Sequence, residues 1–113
     1  METIEVKMPS QRVSERYDCC FSISCAPFNN PRSIQGRMLN YSQNGLYFES
    51  ESALNPGMSV LIRVKHNLGA DSACEIREGF RSLVLGEVKW CEEITSEDSV
   101  YYGAGIKYYP PHY

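Results

Sequence analysis

The sequence predicts an all-β fold, a six-stranded antiparallel β-barrel with at most one short helix. Three observations carry this. Apolar and polar residues alternate with period two in several short segments. Gly-, Pro- and Asn-containing turns separate them at regular spacing. Eight tyrosines accompany many β-branched residues, both of which favour strands. At 113 residues the chain is long enough for one core without disulfides or metal.

The elements follow in order. Residues 1–10 show no period, and Pro9 and Ser10 break any helix, so a flexible tail is expected there. Residues 11–16 hold Arg12 and Arg16, which share a face if the segment makes one helical turn. If it is extended, the two lie about 13 Å apart. From Tyr17 to Ala26 the odd positions Tyr17, Cys19, Phe21, Ile23 and Cys25 predict a half-buried strand, closed by a turn over residues 27–31.

A second strand is expected over 34–42, with Gly36, Met38 and Asn40 on one face, and a third over 45–50. Between them Asn44-Gly45 is a hairpin signal, Gly45 being expected to supply a positive φ. After a turn at residues 54–57, Val60, Ile62 and Val64 mark a fourth strand. Ser72 followed by Glu75 resembles a capping box, the one candidate for a helix. The fifth strand is expected over 83–91, where Gly86 signals a bulge or a close approach. An acidic loop should then fill 92–98, and a sixth strand 100–109, with Gly103 and Gly105 leaving room to bend. Pro110 and Pro111 stop it, leaving 110–113 as a C-terminal tail. No internal repeat divides this single domain.

Charge narrows the function classes. The net charge of −3 opposes general binding to nucleic-acid polymers or anionic membranes. Residues 1–45 carry five bases against four acids, while 46–113 carry six against ten. A small anion could be held in the first part while the surface stays acidic. No apolar run is long enough for membrane insertion, and the first residues are too charged for a signal peptide. The five cysteines include no Cys-x-x-Cys pair, and His66 and His112 match no metal-ligand spacing. The thiols read as reduced and structural, in a cytoplasmic protein without metal or cofactor. No nucleophile signature, Gly-rich phosphate loop or metal set points to an enzyme.

What remains are two short motifs, Arg12-x-x-x-Arg16 and Asn40-x-Ser42-x-x-Gly45. A guanidinium offers planar paired donors to phosphate oxygens and a flat face to a purine. The Asn40 amide both donates and accepts, which suits a nucleobase edge, and Ser42 adds a hydroxyl. Gly45 lets a ligand approach the backbone. These residues describe a receptor for a phosphorylated purine.

The pair resembles the signature of the PilZ domain family, Arg-x-x-x-Arg followed by Asp/Asn-x-Ser-x-x-Gly. Gly36-x-Met38-x-Asn40, Leu54-x-x-Gly57-x-x-Val60-x-Ile62, Leu85-Gly86-x-Val88-x-Trp90 and Gly105-Ile106-x-Tyr108 are similar to its strands, over about residues 11–109. The resemblance implies a six-stranded barrel that binds cyclic di-GMP, a bacterial second messenger with two phosphates and two guanines. It implies that Arg12 and Arg16 grip phosphate and guanine, that Asn40 and Ser42 read a guanine edge, and that Gly45 shapes the turn. It also implies that the arginine segment orders over the ligand and that the complex then signals to an effector protein. The alternative is a PilZ-like barrel that binds no ligand and acts through protein contacts. Asn40 stands where the family commonly has Asp. Trp90 is expected to pack in the core or on the barrel surface rather than reach a guanine.

Overall fold

The computed structural model describes residues 16–28, 32–67 and 80–109. Six strands account for most of them: β1 (Tyr17–Pro27), β2 (Ile34–Tyr41), β3 (Gly45–Ser50), β4 (Ser59–Asn67), β5 (Leu83–Thr95) and β6 (Val100–Tyr108). Every pairing is antiparallel, and the order β1-β2-β3-β6-β5-β4 closes on itself. No helix occurs among the described residues. The tails at 1–10 and 110–113, Arg12, and the candidate helix at 72–75 lie outside them.

Period-two alternation builds the interior. Ile23 and Cys25 from β1, Phe48 from β3, Val60 and Ile62 from β4 and Val84 and Val88 from β5 are all but sealed from solvent. Each large side chain taken out of water in this way contributes roughly 1.5–3 kcal/mol. One end of the interior is capped by rings. Phe80 meets Phe21 at 5.2 Å and Tyr41 edge-on at 5.5 Å, and Tyr17 leans on Tyr41 at 5.8 Å.

Three sequence expectations are corrected. The 92–98 stretch is not all loop, since β5 runs on to Thr95. Glu93, Ile94 and Thr95 pair with Tyr102, Tyr101 and Val100, and the turn closes through Ser96 N–H donating to the Ser99 carbonyl at 2.9 Å. Cross-strand pairing overrides the local charge there.

Asn40 does not share a face with Met38. The β2–β3 register slips between them, so that Met38 and Tyr41, three apart, both face inward and Asn40 faces out beside Tyr47. An extra residue in one strand re-aims the side chains beyond it.

Gly45 does not have a positive φ. Among the described glycines only Gly57, in the turn before β4, does, at 95°. Gly45 answers a different need, because a Cβ there would strike the Ile106 carbonyl of β6. Gly86 is likewise a close approach, with Ile106 Cγ2 at 2.6 Å and the Lys107 carbonyl at 2.8 Å from a built Cβ.

Candidate ligand-binding site

The β1–β2 hairpin brings the two motifs together. Tyr17 pairs with Tyr41 and Asp18 with Asn40, so the residue just before β1 must lie beside the end of β2. That residue is Arg16, and its Nη1 donates to Asn40 Oδ1 at 3.4 Å across 24 residues of sequence. Had the guanidinium stood at the opposite pole of the sheet, the two motifs could not have shared a ligand.

The turn after β2 is built from the second motif. Ser42 N–H donates to the Gly45 carbonyl at 2.8 Å, and Ser42 Oγ accepts from Asn44 N–H at 3.1 Å. The hydroxyl therefore shapes the turn. Ser42 is largely buried, yet its oxygen still has a proton to donate. The Asn44 carbonyl accepts from Tyr108 N–H at 2.9 Å, which ties the turn to β6.

A hollow of about 210 Å³ opens beside this turn. Arg16, Ser42 and Gly45 line it, with Lys89, Trp90 and Lys107 from β5 and β6 opposite. Asn40 does not line it directly and is joined to it by Arg16. Three cationic side chains thus surround a small space in a chain of net charge −3. Lys89 is also near Glu87, at 3.9 Å.

The floor is aromatic. The Trp90 and Tyr47 rings stack, with centroids 5.6 Å apart and planes 26° from parallel. A register slip on β5 between Val88 and Trp90 turns the indole outward, where it sits across from Gly105. Gly103 and Gly105 were expected to let β6 bend. Their nearest neighbours show another use, since a Cβ at Gly105 would strike the Trp90 indole and one at Gly103 the Tyr47 hydroxyl. The bare strand lets both rings lie flat on it. Trp90 keeps 43% of its surface exposed, so it lies on the outside of the sheet and also faces the hollow.

Tyr47 is held in place by its hydroxyl, which donates to Glu49 Oε2 at 2.7 Å; Glu49 also meets Arg37 at 3.4 Å. Burial, with the Glu49 carboxylate as a second cause, pushes the Tyr47 phenol up from its ordinary value. The ring stays neutral at any physiological pH.

Tyr47, Lys89 and Lys107 were missed in the sequence. Alternation would have placed Tyr47 outward one pleat past Gly45. The two lysines needed the β5–β6 register. A larger, shallow groove of about 910 Å³ lies at the other end of β2 and β3, between Arg37, Glu49 and Tyr101, and contains none of the motif residues. Among the described residues no group of three or more His, Cys, Asp or Glu could hold a metal ion. Among the described residues no disulfide joins Cys19, Cys20, Cys25 or Cys91.

A family profile described as "PilZ domain" matches residues 10–111. The chain belongs to the PilZ domain family. Solved structures agree on the fold. The PilZ domain of YcgR from Escherichia coli, determined with c-di-GMP, superposes with a TM-score of 0.61 at 13% identity over 87% of this chain and 77% of that one. The PlzA protein of Borreliella burgdorferi, in complex with c-di-GMP, gives 0.60 at 10% identity. That alignment takes in 91% of this chain but 47% of PlzA. No curated protein sequence matches the chain. This PilZ domain thus keeps both signature motifs, with Arg16, Asn40, Ser42 and Gly45 gathered at one end of the sheet.

Proposed function

We propose that this PilZ domain is a receptor for cyclic di-GMP and works as an adaptor. The observation that carries the reading is the convergence of Arg16, Ser42 and Gly45 with a stacked Trp90–Tyr47 floor and two lysines around one hollow. The ring faces suit a guanine. Arg16, Lys89 and Lys107 suit phosphate, and Arg16 can also stack on a base. Asn40 and Ser42 offer the donors and acceptors that a guanine edge requires.

The hollow of about 210 Å³ is smaller than the roughly 300–1,000 Å³ of ordinary ligand pockets. It therefore takes part of the dinucleotide, and the segment bearing Arg12 closes over the rest. That ordering opposes binding by roughly 1–2 kcal/mol per residue fixed. The affinity is then the attraction between arm and ligand less the entropy lost in fixing the arm. Once closed, the arm gives an effector protein a surface that the free domain lacks. Free thiols and the second-messenger ligand fit a bacterial cytoplasm.

Titration calorimetry of the purified protein with cyclic di-GMP tests the reading. Saturable heat is expected at or below tens of micromolar ligand, and its absence would overturn the receptor assignment. Arg16→Ala should weaken binding at least tenfold, the loss of about 1.4 kcal/mol from one charged contact. An unchanged affinity would show that the motif is ornamental.

A further inference from the structure

Two aromatic–acid pairs face each other across the bare stretch of β6, Tyr47-x-Glu49 on β3 and Trp90-x-Glu92 on β5. Tyr47 and Trp90 both register with Gly105, and Glu49 and Glu92 both register with Gly103. The residues between them turn the other way: Phe48 is sealed in the core and Cys91 packs against it. Successive side chains of a strand point to opposite faces, so the rings and the carboxylates share the outer face.

The two acids are not equivalent. Glu49 is largely covered; it accepts from the Tyr47 hydroxyl at 2.7 Å and meets Arg37 at 3.4 Å. Glu92 is exposed, and among the described residues it makes no hydrogen bond or ion pair. It is nonetheless close to the rings, because its charge is one of the causes that push the Tyr47 phenol up.

Charge is ordered along this face. Lys89 and Lys107 stand at the end of the ring floor that opens into the hollow, and the acid at that end, Glu87, lies 3.9 Å from Lys89. Glu92 stands at the other end, two residues beyond Trp90, or about 7 Å along the strand. That is the span from the middle of a purine stacked on the rings to an acceptor just past its edge. Guanine presents two donors side by side on that edge, N1–H and the 2-amino group, and a carboxylate accepts both in a charge-assisted pair. Adenine presents a lone pair at N1 instead, which a carboxylate repels.

We infer that Glu92 is a specificity-determining residue, the group that selects guanine on the Trp90–Tyr47 floor. A ligand whose phosphate lies toward Lys89 and Lys107 turns its base edge toward Glu92. Glu92 does not line the hollow of about 210 Å³; it meets the part of the dinucleotide that the hollow does not hold. The role depends on cyclic di-GMP being the ligand, and it adds the group that chooses the base. It also has a distinctive sign. A bystander carboxylate only repels a dianionic ligand, so its removal would tighten binding, whereas removal of a guanine acceptor weakens it.

Titration calorimetry of the full chain with cyclic di-GMP and with its inosine analogue, which lacks only the 2-amino groups, tests the role. The wild type should prefer cyclic di-GMP about tenfold or more. Glu92→Gln should bind cyclic di-GMP roughly fivefold more weakly and narrow that preference by about threefold or more. Glu93→Gln removes the same charge at the adjacent position and should keep the wild-type preference. Glu92→Ala repeats the measurement if circular dichroism shows that Glu92→Gln does not fold. A wild type indifferent to the 2-amino group would overturn the assignment. So would a Glu92→Gln variant that binds cyclic di-GMP as tightly as the wild type or more so, or one that keeps the preference intact. Any of these results, in a protein that does give heat with cyclic di-GMP, removes the role of Glu92 alone. Absence of heat from the wild type removes the receptor reading and the role together.

Discussion

Gly45 and Gly105 offer one chemical change with two different expected outcomes. Alanine at either position adds a single methyl group to a crowded site. At Gly45 the new Cβ meets the backbone of β6: the Ile106 carbonyl oxygen, its carbon at 3.2 Å and Lys107 Cα at 3.4 Å. At Gly105 it meets one side chain, the Trp90 indole, with Cε2 at 2.5 Å and Cδ1 at 3.0 Å. Both variants gain about 0.5–1 kcal/mol from the narrower freedom of alanine in the unfolded chain.

Gly45→Ala must part β3 from β6, an overpacking penalty of about 1–3 kcal/mol or more, so the net effect is a clear loss. Gly105→Ala only displaces a half-exposed ring, forfeiting the stacked pair at about 0.5–1.5 kcal/mol, so stability should stay within about 1 kcal/mol of the parent. The displaced indole leaves the floor of the site, and cyclic di-GMP should then bind about five- to tenfold more weakly, or about 1–1.4 kcal/mol. Urea denaturation measures the stability change. Intrinsic fluorescence reports the ring directly, because Trp90 is the only tryptophan in the chain. An emission spectrum unaltered by Gly105→Ala, or equal destabilisation by the two variants, would refute the reasoning.

Other expectations follow from the same geometry. Tyr47→Phe removes the hydrogen bond to Glu49 but keeps the ring, so stability should fall by about 1 kcal/mol in urea titrations while ligand affinity changes little. Phe48→Ala opens a cavity in the sealed interior and should cost about 3–5 kcal/mol by the same measurement. Burial pushes the Cys25 thiol up from 9.0 to about 12 and the Tyr108 phenol up from 10.0 to about 12. In both cases the folded state holds its proton after the unfolded chain has released it. Stability from these groups is therefore intact below about pH 9 and declines as pH rises towards 12, a trend that Tyr108→Phe should lessen in urea midpoints taken between pH 8 and 11. Cys25 should also resist a thiol reagent until the protein unfolds.

Much of the fold was legible because one face of each strand is buried. Phe21, Ile23 and Cys25, or Val60 and Ile62, announce their strands by alternation alone. Three of the motif residues singled out in the sequence, Arg16, Ser42 and Gly45, line one hollow. The rest depended on register, which alternation does not fix. The slip at Leu39 that turns Asn40 outward, and the one at Lys89 that turns Trp90 outward, leave no mark in composition. The hairpin beyond Cys91 was hidden because Glu92 and Glu93 read as loop until Tyr102 is seen to pair beside them. Gly45 was recognised as necessary for the wrong reason. A turn glycine and a crowded glycine look alike until the neighbouring strand is in place.

The middle of β6 contributes no side chain of its own at Gly103 or Gly105, and its surface is supplied by Tyr47 on one flank and Trp90 on the other. The ring surface at this spot is therefore borrowed from two strands that do not pair with each other. Exchanging either ring would, on the proposed reading, alter the face offered to a base without disturbing the backbone beneath it.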